Sequence, residues 1–280
     1  MPPSPLYKYV SLASETHWQR IEALLKRGEI YFSSPDHFND LFDVRPDVVV
    51  PAATDPLYRK RLDDAGRRLG HGAAVRRRQI AFATRGTRDA HAARFAQMAM
   101  RRIRDVGVFC VTPHNDSDLM WAHYANAHAG VCIGFRADRG PLAGAQRVEY
   151  SDVAPQYNHL DDNPRQFNRV FLTKRRHWEY EDEYRLVSLD IGDDKARMKA
   201  MEGLEHDGDF CRFIGRNPGA GPHYLSRDLI ASITFGHKCP DHDRRRIAEV
   251  VAHERLTLSL SEVFVDTSAR TLRVRLWEAS

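Results

Sequence analysis

Four acids crowd into residues 179–183: Glu179, Glu181, Asp182 and Glu183. Like charges that close repel in any conformation, so one of these carboxyls is expected to keep its proton to unusually high pH. A concentrated cost of that kind points to a site rather than to scaffold. Past Tyr184 the run alternates as a strand does. An acidic pair followed by Glu-x-Lys would suit a metal-dependent nuclease. Arg185 holds the lysine's place, however, and it stays charged where a proton must move. The competing reading is an exposed acidic turn paired with Lys174, Arg175 and Arg176.

A second constellation lies in residues 119–135, LMWAHYANAHAGVCIGF. A polar turn precedes it, in which Ser117 or Asp116 can cap a helix. Trp121, Tyr124 and His128 then recur at spacings of three and four, so one face carries two aromatics and an imidazole. Gly130 ends the turn, and residues 131–135 read as a short buried strand. Trp121, His123, Tyr124 and His128 are thus candidates for a ligand-lining wall. The alternative is packing of the helix on the sheet beside an exposed imidazole.

Short elements must position these groups. Residues 6–10 (LYKYV) read as an aromatic strand. Ser14 or Thr16 caps a helix with Trp18, Ile21, Leu24 and Leu25 on one side and Gly28 past its end. Residues 29–33, 44–50, 107–112, 147–150 and 229–235 read as strands, and 151–164 as a polar loop. Residues 167–177 look helical up to the basic turn Lys174-Arg175-Arg176. A helix over 241–253 turns Ile247, Val250 and Val251 inward, and strands follow at 256–260, 263–266 and 271–277. Helices and strands mix without regular βαβ alternation, which argues for one α+β domain over 1–280.

Residues 55–105 differ in composition. Fourteen lysines and arginines, among them Arg76, Arg77, Arg78, Arg101 and Arg102, face five aspartates. Two helices, at 55–69 and 88–105, are expected within this insertion, with a less regular segment between them. The charge suits a nucleic acid or an acidic protein, or simply the solvated face of a helical hairpin that could also be a dimer surface.

The remaining features exclude more than they select. Composition is ordinary for a soluble chain of 280 residues, with 42% apolar and 29% charged. No run approaches a membrane span, and the four cysteines, Cys110, Cys132, Cys211 and Cys239, stand singly, which suits a reducing cytoplasm. Dinucleotide-binding and phosphate-loop glycine motifs, zinc spacings and the GxSxG elbow are all missing, and no metal is expected.

Read together, these motifs resemble a known family. Leu6-Tyr7-Lys8-Tyr9, Ile30-Tyr31-Phe32-Ser33-Ser34-Pro35, Phe38-Asn39-Asp40 and Phe42-Asp43 are similar to the front half of the bacterial domain-of-unknown-function family numbered 2971. Its middle resembles Met120-Trp121-Ala122-His123-Tyr124-Ala125 and Gly130-Val131-Cys132-Ile133-Gly134-Phe135. Its late signature resembles Lys174, Trp178, Tyr180-Glu181 and Glu183-Tyr184-Arg185. Leu41 departs from that family's usual proline. The family name implies no activity.

The order of the motifs is also similar to that of mono-ADP-ribosyltransferases, with Lys8 in place of their histidine or arginine. That resemblance implies a mixed, largely antiparallel split sheet carrying the arginine-rich insertion. It also implies NAD as substrate and the role of a bacterial toxin or phage-defence effector. Cleaving the nicotinamide bond passes through a cationic, oxocarbenium-like ribose, which a fixed carboxylate can stabilise. Glu183 is the expected catalytic carboxylate, and Glu181, two residues away on the same strand face, positions or deprotonates the acceptor. Trp121 and Tyr124 border the nicotinamide. Tyr7, Lys8 and Tyr9 hold the ribose or pyrophosphate, and Ser33, Asn39 and His123 add hydrogen bonds. Two rivals stand beside this expectation: a nucleic-acid-binding protein or metal-dependent nuclease, and a non-catalytic nucleotide sensor with its pocket at residues 121–128.

Overall fold

The computed structural model describes residues 1–158, 164–188 and 218–278. Its larger sheet is organised on β5 (Val131–Phe135), every residue of which is buried. β1 (Leu6–Val10) and β12 (Ile230–Phe235) flank it, both antiparallel. β13 (Ser259–Asp266) runs parallel to β12, and β14 (Thr271–Leu276) closes the order β1-β5-β12-β13-β14.

An unbroken apolar strand needs cover on both faces. On one face Val131, Ile133 and Phe135 meet Ile21 and Leu24 of α1 (Glu15–Arg27) and Ile247 and Val251 of α7 (Asp241–His253). On the other, Cys132 packs with Tyr9, Val263 and the buried ring of Trp121, which belongs to α5 (Asp118–Tyr124). Alternation along β1 therefore sends Tyr7 and Tyr9 to the α5 side, and Leu6, Lys8 and Val10 to the α1 side.

The second sheet has the order β4-β10-β6, all antiparallel, from β4 (Gly107–Val111), β10 (Tyr184–Ser188) and β6 (Gln146–Arg147). β2 (Glu29–Phe32) pairs instead with β11 (Gly221–Tyr224). β4 ties these pieces together: Tyr7 bridges Thr112 at one end, and Ser33 bridges Val108 at the other. β1 and β2 thus diverge along one edge of β4, and α1 roofs the gap. Ser14 caps α1 by accepting from the His17 amide, and Gly28 ends it in the left-handed region at φ 69°.

The basic insertion folds as three helices between β3 (Asp47–Val48) and β4. α2 (Pro56–Arg68) and α4 (Arg88–Arg104) are the expected pair, capped by Asp55 and Thr87. The segment between them is also helical, as α3 (Ala73–Thr84). α4 holds the insertion to the body through Ala99 and Ile103, packed with Val170, Phe171 and Val187. Tyr58 of α2 packs on Phe95 of α4.

Several boundaries differ from the sequence reading. The strand expected at 147–150 is two: Arg147 ends β6 beside β10, while Glu149 and Tyr150 pair with another strand. The loop expected at 151–164 contains the short strand Gln156–Tyr157. Only Asp47 and Val48 of the run 44–50 pair, in parallel with β8 (Gln156–Tyr157), and Val44 is left-handed at φ 53°. The helix expected at 167–177 is α6 (Pro164–Phe171), and Thr173–Lys174 becomes β9, parallel to β7 (Glu149–Tyr150). The strands expected at 256–260 and 263–266 are one, β13. Cys211, the end of the 151–164 loop at residues 159–163, and the Arg102 side chain lie outside the described residues. Among the described residues no helix is long and apolar enough to cross a membrane.

Candidate active site

The acidic run does not continue β10 upstream. Residues 176–181 wind into a 3-10 helix, and Asp182 takes a left-handed turn at φ 41° before the strand begins. Arg147 holds that turn through two contacts on Asp182, at 2.9 and 2.7 Å. Across this kink Glu181 and Glu183 both face inward, each under 5% exposed.

They meet Lys174, the second residue of β9. Its ammonium lies 2.5 Å from Glu181 Oε2, 3.1 Å from Glu183 Oε2 and 3.8 Å from Asp43 Oδ2. Arg185, also buried, places two N–H groups on Glu183 at 2.8 and 2.9 Å. It places two more on Asp43 at 2.9 and 2.6 Å and one on the Phe171 carbonyl at 2.8 Å. That saturates the guanidinium's five donors, the condition for burying an arginine.

Charge counting explains the titration. Asp43 and Glu183 match Lys174 and Arg185, so Glu181 is the one carboxylate in excess. Burial and then the charge of Glu183 push the Glu181 carboxyl up to about 7. Burial also opposes ionisation of Glu183, but Arg185 and Lys174 outweigh it and hold that carboxyl well below the usual range. The raised pKa expected from the acid cluster is therefore present, at Glu181. Lys174 is held above its usual value: burial pulls it down, and Glu183, Glu181 and Asp43 more than compensate.

Glu181 has one further partner. The Tyr124 hydroxyl donates to its Oε1 at 2.5 Å and accepts from Asn39 Nδ2 at 3.0 Å. Tyr124 in turn lines a cavity of about 220 Å³ in the gap between β1 and β2. Ile21, Leu24, Phe109, Ile133 and Phe135 make its apolar wall, and Lys8, His17, Arg20, Glu29, Tyr31 and Ser33 its polar one. Pockets that enclose a drug-sized molecule run to roughly 300–1,000 Å³, so this one takes one end of such a ligand.

Lys8 stands out among the lining groups. Its ammonium donates to the Cys110 carbonyl at 3.1 Å and sits 4.6 Å from the centre of the Phe109 ring. Burial lowers its pKa, and among the described residues it makes no ion pair with a carboxylate. Arg20 lies over the Tyr31 ring at 4.1 Å. The cavity therefore combines two cations, an imidazole and aromatic faces with one carboxylate, Glu29, which Arg27 meets at 3.0 Å. The balance suits an anionic, ring-bearing ligand.

The expected site residues divide accordingly. Lys8, Ser33 and Tyr124 line this cavity, with Asn39 and Glu181 one bond behind Tyr124. Tyr9 borders it from β1, but its ring turns to the opposite face and its hydroxyl donates to the His114 carbonyl at 3.0 Å. Glu183 lies in the ion cluster behind Glu181. Tyr7 is on the opposite face of β1 with its ring against Gly134, where an added Cβ would come within 3.0 Å of it. Trp121 is a core residue, edge-on to Tyr9 at 5.0 Å, with its indole N–H on the Asn115 carbonyl. His123 is exposed beside Trp178 and Tyr180. His128 is in the left-handed region, and its carbonyl accepts from the Lys238 amide.

Beyond their three-residue spacing on the flank of α1, nothing in the sequence marks His17 and Arg20 as site residues, and Tyr31 enters only within the motif of residues 30–35. The segment 39–43 was noticed as a motif, and its purpose is now visible: Asn39 reaches Tyr124, Asp40 takes Arg175 at 2.9 Å, and Asp43 takes Arg185. Among the described residues no group of three or more histidines, cysteines or acids is arranged to hold a metal ion.

Residues 120–186 match the model of a family described as a protein of unknown function (DUF2971). The matched span begins on α5 and ends within β10. It includes Tyr124, Lys174, Glu181, Glu183 and Arg185 and precludes no reading of β1 or α1, which lie before it. No curated protein and no solved structure matches the chain.

Proposed function

We propose that this chain acts on NAD, transferring its ADP-ribose to an acceptor or to water, at the cavity bordered by Lys8, Ser33 and Tyr124. One observation carries the reading: a tyrosine on the cavity wall is hydrogen-bonded at 2.5 Å to a buried carboxyl raised to about 7. The divergence of β1 and β2 along one edge of β4 supports its fold half, since a split sheet was expected from the ADP-ribosyltransferase resemblance.

The chemistry follows from where protons and charges sit. With Glu181 ionised, the Tyr124 O–H is committed to Glu181 and one oxygen lone pair to Asn39, which leaves the other lone pair for the cavity. That orientation favours a positive charge developing on a ribose placed there. As the acceptor adds, its proton can pass to the Tyr124 oxygen while the Tyr124 proton passes to Glu181. A carboxyl near 7 is matched to that task, whereas Glu183, fixed as a carboxylate by Arg185 and Lys174, anchors the cluster. Lys8 and Arg20 offer charge to the pyrophosphate, and the apolar wall offers cover to the ring.

Incubation of the protein with NAD labelled in the adenylate and nicotinamide halves tests this. Nicotinamide release, with or without label on an acceptor, is expected, and Tyr124→Phe and Glu181→Gln should each slow it at least ~100-fold. No release at any pH between 6 and 9, or release indifferent to both substitutions, would sink the proposal.

A further inference from the structure

The arginine-rich insertion is the most uneven feature of the charge distribution. Its fourteen basic and five acidic residues give 55–105 nine net positive charges, in a chain whose total is only +4. Helical surfaces ordinarily balance arginines with acids three or four residues away. Here Asp63 takes both Arg67 and Arg76, at 2.8 and 2.7 Å, and Asp36, outside the insertion, takes Arg104. Arg68, Arg77, Arg78, Arg88 and Arg101 are exposed and make no ion pair among the described residues. Arg88 even occupies the first turn of α4, where the helix dipole disfavours a cation.

α3 sharpens the picture. None of its residues is buried, and Val75 and Phe82 are 46% and 54% exposed. Val75, Arg78 and Phe82 follow one another at spacings of three and four, so they form one stripe. Arg85 caps the helix and lays its guanidinium over the Phe82 ring at 4.3 Å. An exposed ring flanked by arginines is a stacking platform for an unpaired base, and the surrounding cations suit its phosphates.

We infer that α2, α3 and α4 form a docking surface for single-stranded nucleic acid. Phe82 with Arg85 stacks on a base, and Arg77, Arg78 and Arg88 meet the backbone. An acidic peptide would satisfy the charge but leave the ring unused. The inference needs nothing from the chemistry at Tyr124.

Fluorescence anisotropy of the full chain with a labelled 20-nucleotide single strand, across ~50 to ~200 mM salt, tests it. Affinity should fall steeply with salt. A variant carrying Arg77→Gln, Arg78→Gln, Arg85→Gln and Arg88→Gln should bind at least ~10-fold more weakly at ~100 mM, with a salt slope shallower by about 3. Phe82→Ala should weaken single-strand binding ~5-fold or more and leave binding of a duplex of the same length unchanged. All these positions are exposed, so melting temperatures should stay at the parent value. Absence of binding at the lowest salt, or binding that the quadruple variant leaves intact, would overturn the inference. So would equal binding of polyglutamate or phosphatidylserine vesicles, lost through the same substitutions.

Discussion

Glu181 and Glu183 share one ammonium, that of Lys174, at 2.5 and 3.1 Å, yet their carboxyls are displaced in opposite directions. The difference is Arg185, which neutralises Glu183 and does not reach Glu181. A fixed charge and a titratable one therefore lie side by side, and the titratable one is bonded to the cavity wall.

Stability should carry the signature of Glu181. Its carboxyl rises from a usual 4.5 to about 7, so between those values the native state holds a proton that the unfolded chain has released. Its contribution thus declines as pH rises through that window. Glu181→Gln mimics the protonated form and removes the decline. Guanidinium unfolding should find the variant close to wild type at pH 5 and more stable at pH 8, on the order of 3 kcal/mol. Equal differences at the two pH values would contradict the assignment. Glu183, displaced downward, works the other way: its contribution is present above the usual carboxylate range and fades on acidification.

Asp43 is expected to be structural. Removing it leaves the buried Arg185 guanidinium with two empty donors, and Asp43→Ala should cost about 3–5 kcal/mol in urea unfolding. Asp43 and Arg185 are 142 residues apart in the chain and bonded at 2.9 and 2.6 Å. A loss below ~1 kcal/mol would mean that this pairing does not hold the cluster together.

Lys8 should show the reverse pattern. Its charge is buried without a carboxylate partner, so Lys8→Met relieves a desolvation cost and should leave the melting temperature unchanged or higher. NAD turnover should nevertheless fall at least ~10-fold, mainly through KM. Unaltered kinetics would remove Lys8 from the binding set.

Gly28 tests the α1 roof. Its φ is 69°, and an added Cβ would lie 2.0 Å from the Leu225 carbonyl oxygen. Gly28→Ala should destabilise by about 2 kcal/mol or more and loosen α1 over the cavity, measurable as faster hydrogen exchange in residues 15–27. A neutral substitution would show that the turn adjusts freely.

What sequence made legible was local. The repulsion among residues 179–183 announced a displaced carboxyl, and β1, α1, β5 and α7 followed from apolar spacing and caps. Which carboxyl it was did not follow, because it depends on Arg185 bonding Glu183 and not Glu181, which spacing alone does not report. Trp121 and Tyr124 lie on one short helix, yet one packs into the core and the other borders a cavity. Only the neighbours across α5 decide that. The polar rim at His17 and Arg20 is not legible in sequence, because solvent-facing helical positions of that kind are common. α3 was hard to read because its apolar residues form no buried stripe.

A crystal structure of Glu181→Gln with NAD tests the central claim most directly. The account predicts the nicotinamide-bearing ribose within hydrogen-bond reach, about 3 Å, of the Tyr124 hydroxyl, with the pyrophosphate toward Lys8 and Arg20. NAD bound elsewhere, or a cavity that stays empty at saturating NAD, would contradict it.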